Sequence, residues 1–209
     1  MLRAICLAAL FVLLAGCVSA PAIKPDCAAA GVISTLRITA LIKHENSENA
    51  ARAVMYVRRP DAMRFEVYGA MNRRIAIIAA SDKGCAYYSE GSVRDCDESN
   101  GSNPLTLLTA REVVEFLFDD RGAFGGILSD SWQLERSADG RIAKAVKAVG
   151  PLSVVVTLGG YEETGCVMLP RSMRVESRGE SFEIVVKGAK PNVDLDDGAF
   201  ELVADPSNP

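Results

Sequence analysis

The stretch TLRITALIK, residues 35–43, decides the fold. Leu36, Ile38, Ala40 and Ile42 fall on one side of an extended chain, while Arg37, Thr39 and Lys43 share the other with Leu41. A period of two belongs to a strand with one buried face, because successive side chains leave a pleated backbone in opposite directions. MRFEVY, residues 63–68, repeats the pattern: Met63, Phe65 and Val67 alternate with Arg64, Glu66 and Tyr68. Working outward, further strands are expected over 52–58, 74–81, 84–89, 131–136, 141–148, 152–158, 166–176 and 181–187. Turn residues punctuate them: Arg59-Pro60-Asp61, Asp82-Lys83-Gly84, Ala138-Asp139-Gly140, Val149-Gly150-Pro151, Gly159-Gly160 and Gly179. Many short strands at this spacing predict a mainly β, α+β domain built on a curved antiparallel sheet or barrel.

One segment departs from the period of two. Thr109 and Glu112 stand at the spacing of a capping box, and Val113, Val114 and Leu117 follow as an apolar stripe at helical spacing. This predicts a helix over 109–118 lying across the mouth or concave face of the sheet, where its stripe can be buried.

The N-terminus has a different character. Arg3 precedes an uncharged apolar run, residues 4–14 (AICLAALFVLL), and Leu14-Ala15-Gly16-Cys17 follows. A positive start, a short apolar core and small residues before a cut make a secretory signal, and the run is too short to cross a bilayer. Leu-Ala-Gly-Cys resembles the lipobox of bacterial lipoproteins. The resemblance implies cleavage before Cys17 and covalent lipid on that cysteine. Val18, in place of an Asp, favours the outer membrane, with the domain on its periplasmic face. The expected organisation is signal 1–16, lipidated Cys17 and tether 17–31, and one domain over 32–205, which is enough chain for a core.

Composition narrows the partners. Once Arg3 leaves with the signal, 22 basic side chains face 27 acidic ones, and no basic stripe is present. Nucleic acid is therefore not an expected partner. Cys27, Cys85, Cys96 and Cys166 remain in an oxidising space, an even number suited to disulfides. A two-residue loop at Glu90-Gly91 would set Cys85 opposite Cys96 across a hairpin, which leaves Cys27 to pair with Cys166. None of these cysteines has zinc-site spacing, so neither a metal nor a cofactor is expected beyond the lipid on Cys17. His44, the single histidine, reads as a solvated loop residue before Glu45-Asn46-Ser47. Asn192-Val-Asp194-Leu-Asp196-Asp197-Gly198 fails the calcium-loop pattern and reads as a turn. Gly122–Gly126 lacks the Lys-Ser/Thr of a phosphate loop. No catalytic constellation emerges, and an enzyme is not expected.

The order of the pieces resembles the LolA and LolB family of periplasmic lipoprotein carriers and receptors. The likeness runs over roughly residues 32–205. It rests on the opening strand 33–43, Tyr56-Val-Arg-Arg-Pro60, Met63-Arg-Phe-Glu-Val-Tyr-Gly69, the loop Ala70-Met-Asn-Arg73, the strand 74–81, the mid-chain helix, and the closing Asp196-Asp-Gly-Ala-Phe-Glu-Leu202. The resemblance implies an open, unclosed β-barrel whose apolar hollow is lidded by helices and takes lipid or lipoprotein acyl chains. Leu36, Ile38, Phe65, Val67, Ile75 and Ile77 are the candidate lining, though each is equally suited to ordinary core. It also implies that the loop around Met71 meets the membrane, as the matching loop of the LolB receptor does. The plainer expectation is a turn methionine folded back on the sheet. Arg73 and Arg74 could touch anionic headgroups, or serve as a solvated turn. The functional expectation is an outer-membrane-anchored lipoprotein that binds lipid or lipoprotein acyl chains, in the manner of LolB. The alternative is a structural or assembly lipoprotein with a filled core, partnered by other envelope proteins.

Overall fold

The structure is a computed structural model that describes residues 32–96, 103–118, 131–164 and 166–201. The signal, Cys17, the tether and Cys27 lie outside these residues, as do Gly122–Gly126. The described residues form one antiparallel sheet: β1 (Thr35–His44), β2 (Ala51–Arg58), β3 (Ala62–Tyr68), β4 (Arg74–Ser81), β5 (Gly84–Ser89), β6 (Ser92–Asp95), β7 (Gln133–Arg136), β8 (Ile142–Val149), β9 (Leu152–Thr164), β10 (Val167–Ser177) and β11 (Glu180–Pro191). The strand order is β6-β5-β4-β3-β2-β1-β11-β10-β9-β8-β7. Two meanders are thus joined where the first strand pairs with the last, and among the described residues β6 and β7 are the edges. This is an open barrel with a helix on it, as the strand pattern and the resemblance both led one to expect.

The faces follow the alternation. Leu36, Ile38, Ala40 and Ile42 are all buried, and each pairs across to β2 and β11 residues of the same face. Helix α1 (Ala110–Phe118) lies against β3, β4 and β10, so it bridges the two meanders over the concave side. Its capping box is present in full. The Thr109 amide donates to Glu112 Oε2 at 2.9 Å, and the Glu112 amide donates to Thr109 Oγ1 at 3.2 Å. Val113, Val114, Phe116 and Leu117 are buried beneath the helix. The other carboxylate oxygen of Glu112 accepts from Trp132 Nε1 at 3.0 Å and Lys147 Nζ at 2.5 Å. The cap thus doubles as a rivet between the helix, the residue before β7, and β8. Trp132 meets Phe116 edge-on, with ring centroids 5.0 Å apart.

Two turn expectations need correction. Gly159-Gly160 does not turn the chain but lies inside β9, whose longer run carries it through. A side chain at Gly159 would place its Cβ 2.4 Å from Ser172 Oγ on the paired strand, so the glycine permits close strand approach rather than a bend. His44 is not a solvated loop residue. It closes β1, half-buried, with Nε2 paired to Glu180 and its ring 4.9 Å from Phe182.

The convex face is partly roofed as well. The C-terminal 3-10 turn Asp197–Phe200 packs on β3 and β4 and buries Phe200. Arg58 ties it down, donating to Asp197 at 2.6 Å and stacking 4.7 Å over the Phe200 ring, and Arg64 donates to the Ala199 carbonyl at 3.1 Å.

Candidate functional site

A hollow of about 270 Å³ opens among β1, β3, β4, β5 and β11, beside the segment that precedes the helix. Ile42, Phe65, Val67, Ala76, Ile78 and Phe182 give it apolar walls, and Tyr87 and Leu105 close it from β5 and from the segment before the helix. His44, Ser47, Asn49 and Asn103 supply its polar side groups. His44, Ser47 and Asn49 belong to the end of β1 and the turn into β2, so they sit at the end of the sheet where β3 finishes and β4 begins.

Of the residues put forward as lining, Phe65, Val67, Ile75 and Ile77 border the hollow. Leu36 and Ile38 do not reach it and are packed core, 0% and 1% exposed. The register places the β4 residues on their faces. Phe65 pairs with Ile78 and Val67 with Ala76, whereas Ile77 pairs with Glu66 on the opposite face. Ile77 borders the hollow from a strand position that shares its face with Glu66. Ile75 stands at the irregularity between Val67 and Tyr68, on the rim of the hollow and 46% exposed. Alternation could not settle this, because β4 is apolar on both faces and the C-terminal turn covers the outer one.

Met71 is not folded back on the sheet. It lies in the 3-10 turn Ala70–Asn72 between β3 and β4 and is 99% exposed. Its backbone is left-handed, φ 54°, and Asn72 follows at φ 62°. A left-handed methionine is uncommon and holds the side chain out from the turn at a steric cost. Leu41 and Ile75, both partly exposed, stand at the same end of the sheet. The mouth of the hollow and this apolar tip therefore share one pole. β1 begins at the other.

The tip carries its own electrostatics on the convex side. Glu66, 5% exposed, accepts from Arg64 Nε at 2.7 Å, from Arg74 Nη1 at 3.5 Å and from the Tyr68 hydroxyl. Burial alone would raise its pKa. The hydrogen bonds from Tyr68 and Arg64 and the charges of Arg64 and Arg74 outweigh burial and hold it below the usual carboxylate range. Burial and the Glu66 carboxylate together push the Tyr68 phenol up to about 12. Arg52 stacks 4.4 Å over the Tyr68 ring.

Cys85 and Cys96 are joined by a disulfide with Cα atoms 5.4 Å apart, flanking the Glu90-Gly91 loop as the hairpin reading placed them. Cys166 is also disulfide-bonded, and its expected partner, Cys27, lies outside the described residues.

No protein-family model and no curated protein sequence matches the chain. Solved structures do. A LolA superfamily protein from Nitrosomonas europaea superposes with TM-score 0.53 at 12% identity, covering 81% of this chain and 90% of that one. A DUF1329 family protein from Desulfovibrio piger gives 0.53 at 12% identity, covering 84% and 92%. A domain described as an outer membrane lipoprotein-sorting protein, from Vibrio parahaemolyticus, gives 0.51 at 11% identity, covering 80% and 89%. The chain has the LolA-type fold. At such identities the likeness is one of architecture. What this LolA-type sheet holds has to be argued from its own hollow and its own tip. Sequence reasoning missed the polar mouth, since His44 and the turn after it look like plain solvated residues. It also missed Ile42, whose alternation with Lys43 was there to be read, and Ala76 and Ile78, which the apolar run of β4 does not assign to a face.

Proposed function

We propose that this chain is a lipid-anchored envelope lipoprotein that takes an acyl chain of a lipid or lipoprotein into its hollow and approaches a bilayer with the Met71 pole. The observation that carries this is a coincidence of place. The apolar hollow opens at the same end of the sheet as a fully exposed methionine. A lone exposed apolar residue needs no explanation. One held out on a left-handed backbone beside the mouth of an apolar hollow is explained if the mouth must reach hydrocarbon. Anchoring through Cys17 and placement at the outer membrane follow from the lipobox and Val18. The LolA-type architecture and the lipoprotein-sorting description of one structural neighbour support the same reading.

Flotation with anionic vesicles tests it, using the full chain with Cys17→Ala so that no attached lipid masks the effect. Adding Met71→Gly should lower vesicle binding about tenfold, the loss expected when a methionine side chain no longer enters the apolar phase. Thermal stability should stay within about 1 kcal/mol, since glycine accepts the left-handed backbone. Equal flotation of the two chains would refute a membrane role for Met71. A LolB-depleted strain tests the receptor role separately. Rescue by the lipidated chain supports it, and failure with the chain correctly placed at the outer membrane removes it.

A further inference from the structure

We propose that the outward shoulder of the sheet below the Met71 tip is a docking face for a bilayer that carries anionic phospholipid. Leu41 and Ile75 enter the interface beside Met71, and Arg52, Arg73 and Arg74 meet lipid phosphates. The proposal rests on the membrane reading above and adds to it, since a tip contact needs Met71 alone and selects no headgroup. Five large apolar side chains are exposed among the described residues: Val32, Leu41, Met71, Ile75 and Met168. Val32 precedes β1 and Met168 opens β10, both at the far pole. The other three gather at the Met71 pole. Leu41 pairs with Arg52 on β2 and Arg52 with Tyr68 on β3, which makes one outward row. The row reaches β4 at Arg74, next to Ile75, and the Ala70–Asn72 turn with Met71 stands over it.

The charges on this shoulder are not balanced. Arg64 and Arg74 share the one carboxylate of Glu66, so that group keeps a positive charge. Arg52 and Arg73, both exposed, add to it and form no ion pair among the described residues. Lys43 is matched by Glu183 across the ladder. Other acids of the pole are committed to the far hairpin: Glu45 and Glu176 bind Arg174, and Glu180 binds His44. Glu48 and Glu90 stand on turns outside the row. Arg52 lies 4.4 Å over the Tyr68 ring, whose hydroxyl is turned to Glu66. The stack holds the guanidinium flat on the face and leaves its N–H edge for phosphate oxygens. Single apolar side chains alternating with arginines and a tyrosine suit a membrane interface, where tails and headgroups are both within reach. A protein interface instead gathers its apolar residues in a core depleted of charge. The occupant is therefore a lipid surface.

Flotation of the full Cys17→Ala chain with vesicles of phosphatidylcholine alone, or of equal parts phosphatidylcholine and phosphatidylglycerol, tests this. Binding should favour the mixed vesicles and weaken with added salt, because exposed charges are screened. Arg52→Gln and Arg73→Gln should each lower binding to the mixed vesicles about fivefold, the fold-change equivalent of ~1 kcal/mol, and leave binding to phosphatidylcholine unchanged. Arg52→Lys keeps the charge and should lose no more than about twofold. That comparison separates attraction to phosphate from a disturbance of Tyr68. Leu41→Ser should lower binding to both vesicles with an unchanged melting profile. Photo-crosslinkers at positions 41 and 75 should give lipid adducts, and one at position 168 none. Lipid adducts at position 71 alone, or undiminished binding of both glutamine variants to the mixed vesicles, overturn the shoulder and leave the tip reading standing. Absence of lipid adducts at positions 41, 71 and 75 overturns both. Adducts to protein in place of lipid at position 41, in whole envelopes, assign the face to a protein partner and overturn the proposal as well.

Discussion

Glu66 shows how a residue that looks like ordinary strand polarity becomes structural. Its position in MRFEVY marks it as an outward residue, and outward it is. The sequence carries no sign that the outer face is itself covered there, nor that two arginines and a tyrosine converge on one carboxylate. Hydrogen bonds to a charged group contribute about 1.5–3 kcal/mol each way they are broken, so Glu66→Gln should destabilise the domain by about that much at neutral pH. The sign of the pH dependence follows from the lowered folded pKa. The stabilisation is present above the carboxylate's unfolded value, about 4.3, and is lost as pH falls through the folded one. Chemical denaturation of the parent and the variant should therefore differ at pH 7 and draw together only as pH falls from the ordinary carboxylate range through the lowered folded value. A difference that persists undiminished in acid would show that packing, not charge, is what Gln disturbs.

At the scale of elements, the strands were legible wherever one face met the core and the other met water. β1 and β3 are the clearest cases, since Arg37, Thr39, Arg64 and Glu66 break the apolar runs at every second place. β4 was legible as a strand but not in its facing, because IAIIAA offers no polar residue to mark the outside. Gly159 misled for a related reason. Glycine marks a turn and a tight strand contact alike, and only the partner, Ser172, distinguishes them. The helix was legible because its cap is written in two residues, Thr109 and Glu112. That cap makes a graded prediction. Thr109→Ala loses a cap alone and should cost about 1 kcal/mol. Glu112→Ala also orphans Lys147 and Trp132, and should cost about 3–5 kcal/mol by the measure of broken buried pairs. Urea melts of the two variants should rank in that order, and equal losses would show that the Lys147 and Trp132 bonds contribute nothing beyond the cap.

At the scale of the molecule, the strand count and the hairpins follow from local pattern, whereas the meeting of β1 with β11 does not. That pairing joins residues separated by most of the chain, such as Leu36 and Pro191. It is also what leaves β6 and β7 as edges and the barrel open. The position of the hollow depends on it in turn, since Ile42 and His44 come from the first strand and Phe182 from the last. No periodicity within a single segment announces a wall assembled from both termini of the domain.

The polarity of β1 sets a geometric demand on the leash that precedes it. Its ten residues run about 34 Å from the pole where the chain enters the domain to the pole where Met71 protrudes. Drawn straight, residues 18–27 reach at most about 36 Å, and the expected bond of Cys27 to Cys166 would hold the leash at the pole where β1 begins. If Cys17 sits in the bilayer, the leash must pass the full height of the domain for the methionine to touch that same leaflet, with almost no length to spare. Cutting five residues from 18–26 should leave the protein membrane-bound but hold its tip away from the surface. A photo-crosslinker at position 71 should then lose its lipid adducts, while one near Val32 keeps them. A shortened leash with undiminished adducts at position 71 would mean that the tip reaches across to a different membrane from the one that holds the anchor.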